Sequence, residues 1–344
     1  MVRVEFDMFV HIAGEVEMDK APTVPADLAD AVFPDGFQGE LLGVTTQPGG
    51  IYECVRGGRL SLSTEEEHQL KKYEYTGEQK EIFGAILHQI RAVRDFGAVH
   101  AGEIGGWIES EKNLSHKNDA WVFGNARVYG DARVSGNAQV CGDARVYGGA
   151  LVSGNAQVCG DARVYGGALV SGNARVSGNA WVSGDARVSG GARVFGDAWV
   201  FGNARVYGDA RVSGNAQVYG GARVSGNAQV CGDARVYGGA LVSDNARVSG
   251  DAQVSGSAWV HGGKWGRSPC FIQGTRWSMN VSSPDTVRCG CQDHSWEEWH
   301  NHYAEISRRH NGDDVLDEYI QYFNLLCGLY GHEDCAIVRE GGKI

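Results

Sequence analysis

The chain has 344 residues, with 31 Lys and Arg against 42 Asp and Glu, for a formal net charge of −11. That acidic balance argues against a protein that wraps nucleic acid, and no apolar run approaches the roughly 20 residues of a membrane span. Nine cysteines, an odd number without small-domain spacing, suit reduced thiols, and the N-terminus MVRVEFDMFVHIAGEVEM lacks a basic segment followed by an apolar core, so a cytoplasmic protein is expected.

In chain order, residues 1–69 form a region of unknown fold. Residues 1–20 alternate as a strand would, and a short helix is expected near Asp27 to Val32, among Pro22, Pro25, Pro34 and Pro48. Residues 70–121 hold short apolar runs, expected to be strands of a β-rich cap that closes the element after it. An open end there would expose unpaired backbone and core side chains.

From Val122 to Val260, 24 valines recur at an unbroken spacing of six, in a run that reads V-x-G-x-A-x. Larger blocks recur at eighteen: CGDARVYGGALVSGNAQV begins at Cys141, a near copy at Cys159, and CGDARVYGGALVSDNARV at Cys231. Six residues therefore make one face and eighteen one turn of a triangular coil over residues 122–263. Eight turns at a parallel-strand spacing of about 4.8 Å give a rod roughly 35 to 40 Å long. Within Ala126-Arg127-Val128-Tyr129 the strand period sends Ala and Val inward, Arg and Tyr outward. Gly130-Asp131 turns the corner, because glycine accepts positive φ and Asp or Asn tolerates it better than other side chains. Proline is absent from the run, as a strand donating to a ladder requires.

Residues eighteen apart stack. Tyr129, Tyr147, Tyr165, Ser183, Phe201, Tyr219 and Tyr237 form one outward column, and Arg127, Arg145, Arg163, Trp181, Trp199, Gln217 and Arg235 form its neighbour. Such columns stabilise a β-surface by about 0.2 to 1 kcal/mol per pair. Tyr, Trp and Arg are also the residues enriched at interface hot spots, so this face is the candidate binding surface. Charge divides unevenly: 11 basic against 21 acidic residues in 1–121, 12 Arg against 9 Asp in 122–263, and 8 against 12 in 264–344. A second face places Ser135, Ser153, Ser171 and their successors beside Arg133, Leu151 and Leu169. Cys141 and Cys159 stack at about 4.8 Å, within disulfide reach, but parallel outward side chains have poor torsion geometry and free thiols are expected.

Residues 264–344 are expected to form a second cap. FIQGTRWSMNVSS and TVRCGC read as strands, and HSWEEWHNHYAEISRRH and DDVLDEYIQYFNLLCGLYG as a helical hairpin covering the rod's other end. Cys289, Cys291, His294, His300, His302, His332 and Cys335 are possible zinc ligands, but C-x-C-x-x-H is not a usual structural spacing, and no metal is expected.

The coil resembles the hexapeptide-repeat, left-handed parallel β-helix proteins, whose consensus places an aliphatic residue and, four positions later, a small one, as at Val128 and Ala132. The left hand is implied by that resemblance alone. More narrowly, residues 90–128, IRAVRDFGAVHAGEIGGWIESEKNLSHKNDAWVFGNARV, are similar to the leading segment of YdcK-like transferases and of repeat proteins common in phages and prophages. IQGTRWSMNV with GCQDHSWEEW looks like the tail of those phage proteins. The resemblance covers about residues 70–326.

The resemblance implies acyl-CoA-dependent acyltransferases, usually trimers with sites between rods, a catalytic histidine on or near the coil, and often a loop between rungs. Here the coil has no loop, and its histidine, His261, stands at its end, so the family's base has no evident position. The γ-class carbonic anhydrase variant, with three zinc histidines, fails on the same ground. The fold expected is thus an all-β-dominated left-handed β-helix of about eight 18-residue turns, capped by strands at one end and strands plus a helical hairpin at the other. The function expected is a non-enzymatic phage or prophage scaffold, without catalytic residue, metal or cofactor. It would present Arg127, Tyr129, Arg145, Tyr147, Arg163, Tyr165, Trp181, Trp199, Phe201, Tyr219, Arg235 and Tyr237 to a protein partner or another copy. One alternative is an acyltransferase with its base from His100, His116 or a neighbouring subunit's C-terminal histidine; a lesser one is a nucleotide or nucleic-acid sponge on the same face.

Overall fold

A computed structural model describes residues 52–55, 59–62, 71–310 and 313–338. The strand and helix expected in residues 1–32 lie outside these. Two compact units are present, Met1–Lys72 and Tyr73–Ile344. In the first, strands β1 (Tyr52–Val55) and β2 (Arg59–Leu62) pair antiparallel, Tyr52 opposite Leu62.

In the second unit, 24 two-residue strands, β6 (Trp121–Val122) to β29 (Trp259–Val260), follow one another at the hexapeptide spacing. They form three parallel ladders in which each interior strand pairs with those three before and after it. Arg145 lies opposite Arg127 and Arg163, and Val146 opposite Val128 and Val164. Eight turns result, extended to about nine by one added rung at each end.

The inward residues explain the closure. Every alanine and valine of the repeat is essentially inaccessible, and burying each valine contributes on the order of 1.5 kcal/mol. The first corner residue is left-handed throughout, as at Gly154 with φ 68°. Stacking adds a second demand: a Cβ on Gly154 would meet the backbone N of Gly172 at 2.9 Å. Asp244 alone among these corners reaches φ 53° without being glycine. The second corner residues form amide ladders, Asn137 Nδ2 donating to Asn155 Oδ1 and Asn155 Nδ2 to Asn173 Oδ1, each at 3.0 Å.

The first cap is β3 (Tyr73–Ile82), β4 (Ala85–Ala92) and β5 (Ile104–Ile108). The antiparallel series β3-β4-β5 continues one coil face, because β5 runs parallel to β7 (Arg127–Val128). Strand β8 (Arg133–Val134), which begins its face with an open edge, is satisfied by a side chain: buried Asn113 donates Nδ2 to Gly130 O at 2.9 Å and Ala132 O at 2.8 Å. Ser115 N then donates to Val134 O at 2.9 Å. Trp121, in the outward position before Val122, is buried beneath this cap, flanked edge-on by Phe96 and Tyr73.

At the other end β30 (Lys264–Trp265) adds a last rung. The helical hairpin expected to cover this end is not what meets it first. A four-stranded antiparallel sheet intervenes, made of β31 (Phe271–Gln273), β32 (Ser278–Ser283), β33 (Thr286–Cys289) and β34 (Gln292–Ser295). Its backbone and amides reach the final turn: His261 N donates to Ser282 O at 3.0 Å and Asn280 Nδ2 to Trp259 O at 2.9 Å. Helices α1 (Trp296–Arg309) and α2 (Leu316–Tyr330) pack behind it, and Tyr330 reaches Trp265 edge-on. Helix α1 begins two residues later than the sequence suggested, because His294 and Ser295 belong to β34. Ser295 is the N-cap, its Oγ accepting from Glu298 N at 3.0 Å while Glu298 Oε2 accepts from Ser295 N at 3.1 Å.

The free thiols expected at Cys141 and Cys159 are corrected: the two sulfurs are bonded, across a Cα separation of 4.5 Å. The in-register ladder brings the rungs to the short end of the range a disulfide spans, and side-chain rotation closes the rest. Among the described residues Cys231, Cys270, Cys289, Cys291, Cys327 and Cys335 are free.

Candidate binding face and the histidine at the end of the coil

The twelve residues picked out as a binding surface all fall on one sheet of the coil. Stacking is close: Tyr129 to Tyr147 at 5.1 Å and Tyr147 to Tyr165 at 4.9 Å between ring centroids, planes within 3°. Where Ser183 interrupts that column, the aromatic run changes lanes. Trp181 meets Tyr165 edge-on at 6.5 Å and stacks on Trp199 at 4.9 Å. Phe201, Tyr219 and Tyr237 then resume the first column at 4.8 and 5.0 Å. Because the rings lie on one another, they present edges rather than faces outward within each run.

The cationic half lies toward the first cap, where Arg127, Arg145 and Arg163 stand directly opposite one another in register. Among the described residues none of them forms an ion pair, and Arg127 Nε is buried without a hydrogen-bond partner. Like charges so placed repel. Arg163 is partly compensated by lying over the Trp181 ring at 4.8 Å.

The first cap prolongs this face in a way that column counting misses. Trp107 lies opposite Arg127, and Lys80 Nζ sits 3.8 Å from the Trp107 ring centre. Trp107 precedes Arg127 by twenty residues, not eighteen, so the repeat arithmetic passes it by. Partial burial, and then Arg127, push the Lys80 amine down to about 8 against the opposing pull of Asp143. Burial raises Tyr129 and Tyr147 above the ordinary phenol range, with the neighbouring arginines acting the other way.

The histidines proposed as bases are scattered. His100 is largely exposed, 3.9 Å from Asp95, and His116 stacks on Tyr73 at 4.2 Å within the first cap. His261 is placed differently. It stands in the second-face column directly above Ser243, and its Nε2 lies 2.8 Å from Asp293 Oδ2. Asp293 Oδ1 accepts from Ser282 Oγ at 2.7 Å, and Arg288, whose guanidinium lies over Trp259 at 3.8 Å, approaches Oδ2 at 3.9 Å. A carboxylate that anchors one ring nitrogen sets the tautomer and leaves Nδ1 to accept a proton. Both side chains keep solvent access, 26% and 21%. Sequence reading could not find this dyad, since its members are 32 residues apart and meet only through the capping sheet. The second cap also holds a cavity of about 140 Å³ lined chiefly by apolar and aromatic side chains, among them Trp277, Trp299, Tyr319 and Phe323.

The YdcK Beta solenoid repeat family model matches this chain at residues 120–136, 126–142, 138–154, 156–172, 168–184, 198–214, 204–220, 216–232, 228–244 and 246–262. The chain is also similar to a protein of Escherichia coli (strain K12) named "Uncharacterized acetyltransferase YdcK", at 36% identity over 89 residues. That match spans 26% of this chain and 25% of the relative's length. Among the described residues no helix is long and apolar enough to cross a membrane. Repeat spacing and three parallel ladders make the repeat region of this chain a β-solenoid, and that region is similar to the YdcK Beta solenoid repeat.

Proposed function

We propose that the protein is a non-enzymatic scaffold whose Arg and aromatic face binds an acidic protein surface or a second copy of the chain. The observation that supports it most is the cationic ladder Arg127–Arg145–Arg163, held on a rigid sheet without a carboxylate partner among the described residues. A carboxylate-bearing partner would relieve that repulsion, and Arg forks suit carboxylates. Stacked Tyr and Trp edges beside it supply rigid contact area at little entropic cost. The reading includes the setting suggested by resemblance, a phage or prophage protein acting in the cytoplasm. It is tested by light scattering and by capture from bacterial lysate with the wild type and with Arg145→Glu/Arg163→Glu. The double variant should lose the complex, while Arg187→Glu/Arg205→Glu on the neighbouring face should keep it; equal capture by both would sink the reading.

The His261–Asp293 pair and the relative's name favour one second reading, an acyl-CoA-dependent acyltransferase with His261 as base. Acetyl-CoA turnover on an amine or hydroxyl acceptor, lost in His261→Asn and strongly reduced in Asp293→Asn, would establish it. Absence of turnover in the wild type would dismiss it.

A further inference from the structure

Of the seven cysteines and histidines that the sequence offered as zinc ligands, the fold disperses most. His294 is engaged by Gln292 and Glu298, and His302 by Glu305. Cys289 is buried in the sheet while Cys291 is exposed at its turn. His300 turns its Nδ1 to the carbonyl of Cys335 at 2.9 Å. What remains is a local cluster just past the end of α2. There a ring nitrogen of His332, a carboxylate oxygen of Asp334 and the sulfur of Cys335 all lie within 4.8 Å of one another.

The cluster is set by tertiary contacts as well as by closeness in sequence. Gly331 ends α2 in the left-handed region at φ 76°, and His332 N donates back to Cys327 O at 2.9 Å. The His332 ring then stacks on Trp296 of α1 at 4.3 Å, with the planes 19° apart. A 3₁₀ turn, Glu333–Cys335, follows; Cys335 N donates to His332 O at 2.9 Å, and His300 holds the Cys335 carbonyl. Imidazole, carboxylate and thiol are thereby turned toward one point, with two of them half-buried and the third exposed.

We propose that His332, Asp334 and Cys335 form a divalent transition-metal site, with zinc as its natural occupant. One nitrogen, one oxygen and one sulfur donor suit zinc and exclude magnesium or calcium, which take oxygen ligands. Three protein ligands leave a fourth, tetrahedral position for water. On binding, the Cys335 thiol releases its proton to solvent and the sulfur bonds the metal as thiolate, with no change of oxidation state.

Cobalt(II) titration of the untagged, full-length protein under reducing conditions, followed by zinc displacement, tests this. A sulfur-to-cobalt charge-transfer band saturating at one equivalent, with visible bands of tetrahedral intensity that zinc abolishes, is expected. Cys335→Ser, close in size to the native residue, should erase the charge-transfer band and weaken binding by at least about tenfold, and His332→Gln should weaken it similarly. Cys291→Ser, at the exposed thiol outside the cluster, should leave both unchanged. The proposal is overturned if the wild type shows no charge-transfer band, or if the band survives Cys335→Ser. A circular dichroism spectrum shared by all variants ensures that a lost band reports a lost ligand rather than a lost fold.

Discussion

Trp181 and Trp199 stand one rung apart with ring centroids 4.9 Å apart and planes parallel to within a degree. Their backbones are hydrogen-bonded in register, so the stack is imposed by the coil rather than found by the side chains. Replacing Trp199, 42% exposed, by Gln should cost about 0.5 to 1.5 kcal/mol in unfolding free energy and remove the indole coupling from the near-ultraviolet circular dichroism spectrum. An unchanged spectrum would show that the two rings are not stacked in solution.

Corner glycines face two demands that substitutions can separate. At Gly124, φ 57°, a methyl group would have nothing within 4 Å, whereas at Gly154, φ 68°, it would press against Gly172 N at 2.9 Å and O at 3.0 Å. Gly124→Ala should therefore cost only the left-handed penalty of about 1 to 2 kcal/mol, and Gly154→Ala clearly more. Asp244→Gly should act in the opposite sense and stabilise by up to about 1 kcal/mol, because it removes the non-glycine residue at φ 53°. Urea unfolding of the three variants gives the order.

Lys80 should titrate near pH 8, since partial burial and Arg127 both disfavour its charged form. In the unfolded chain the amine keeps the ordinary lysine value of 10.5. Between these limits the unfolded state binds the extra proton, so this group's contribution to stability rises with pH from about 8 to 10.5. Nuclear magnetic resonance of the Lys80 side chain gives the midpoint directly. Arg127→Gln should move that midpoint upward, and a midpoint already at the ordinary value in the wild type would refute the assignment.

Two cysteines on one hairpin should differ in reactivity. Burial, and then the nearby Cys291, push the Cys289 thiol up to about 12, whereas Cys291 is exposed at the turn. At pH 8 iodoacetamide should label Cys291 in the folded protein and reach Cys289 only on unfolding. Mass mapping of the labelled peptide distinguishes the two; equal labelling would mean that the second cap opens freely.

The coil was legible because its determinants are local and repeated. Val128 lies over Val146, and Tyr129 over Tyr147, for one reason: eighteen residues make a turn, so the spacing in sequence is the spacing in space. Period two assigns inside and outside, and glycine at every sixth position save Asp244 assigns the corners. Only the tertiary structure decided the rest. Trp107 joins the Arg and aromatic face through an offset of twenty residues, Asn113 satisfies an open sheet edge, and Asp293 meets His261 across an interposed sheet. The bonding of Cys141 to Cys159 depended on how far two parallel side chains rotate, which spacing alone leaves open. At the caps the repeat stops, each contact occurs once, and no periodicity remains from which a partner can be read; there, packing alone selects which side chains meet.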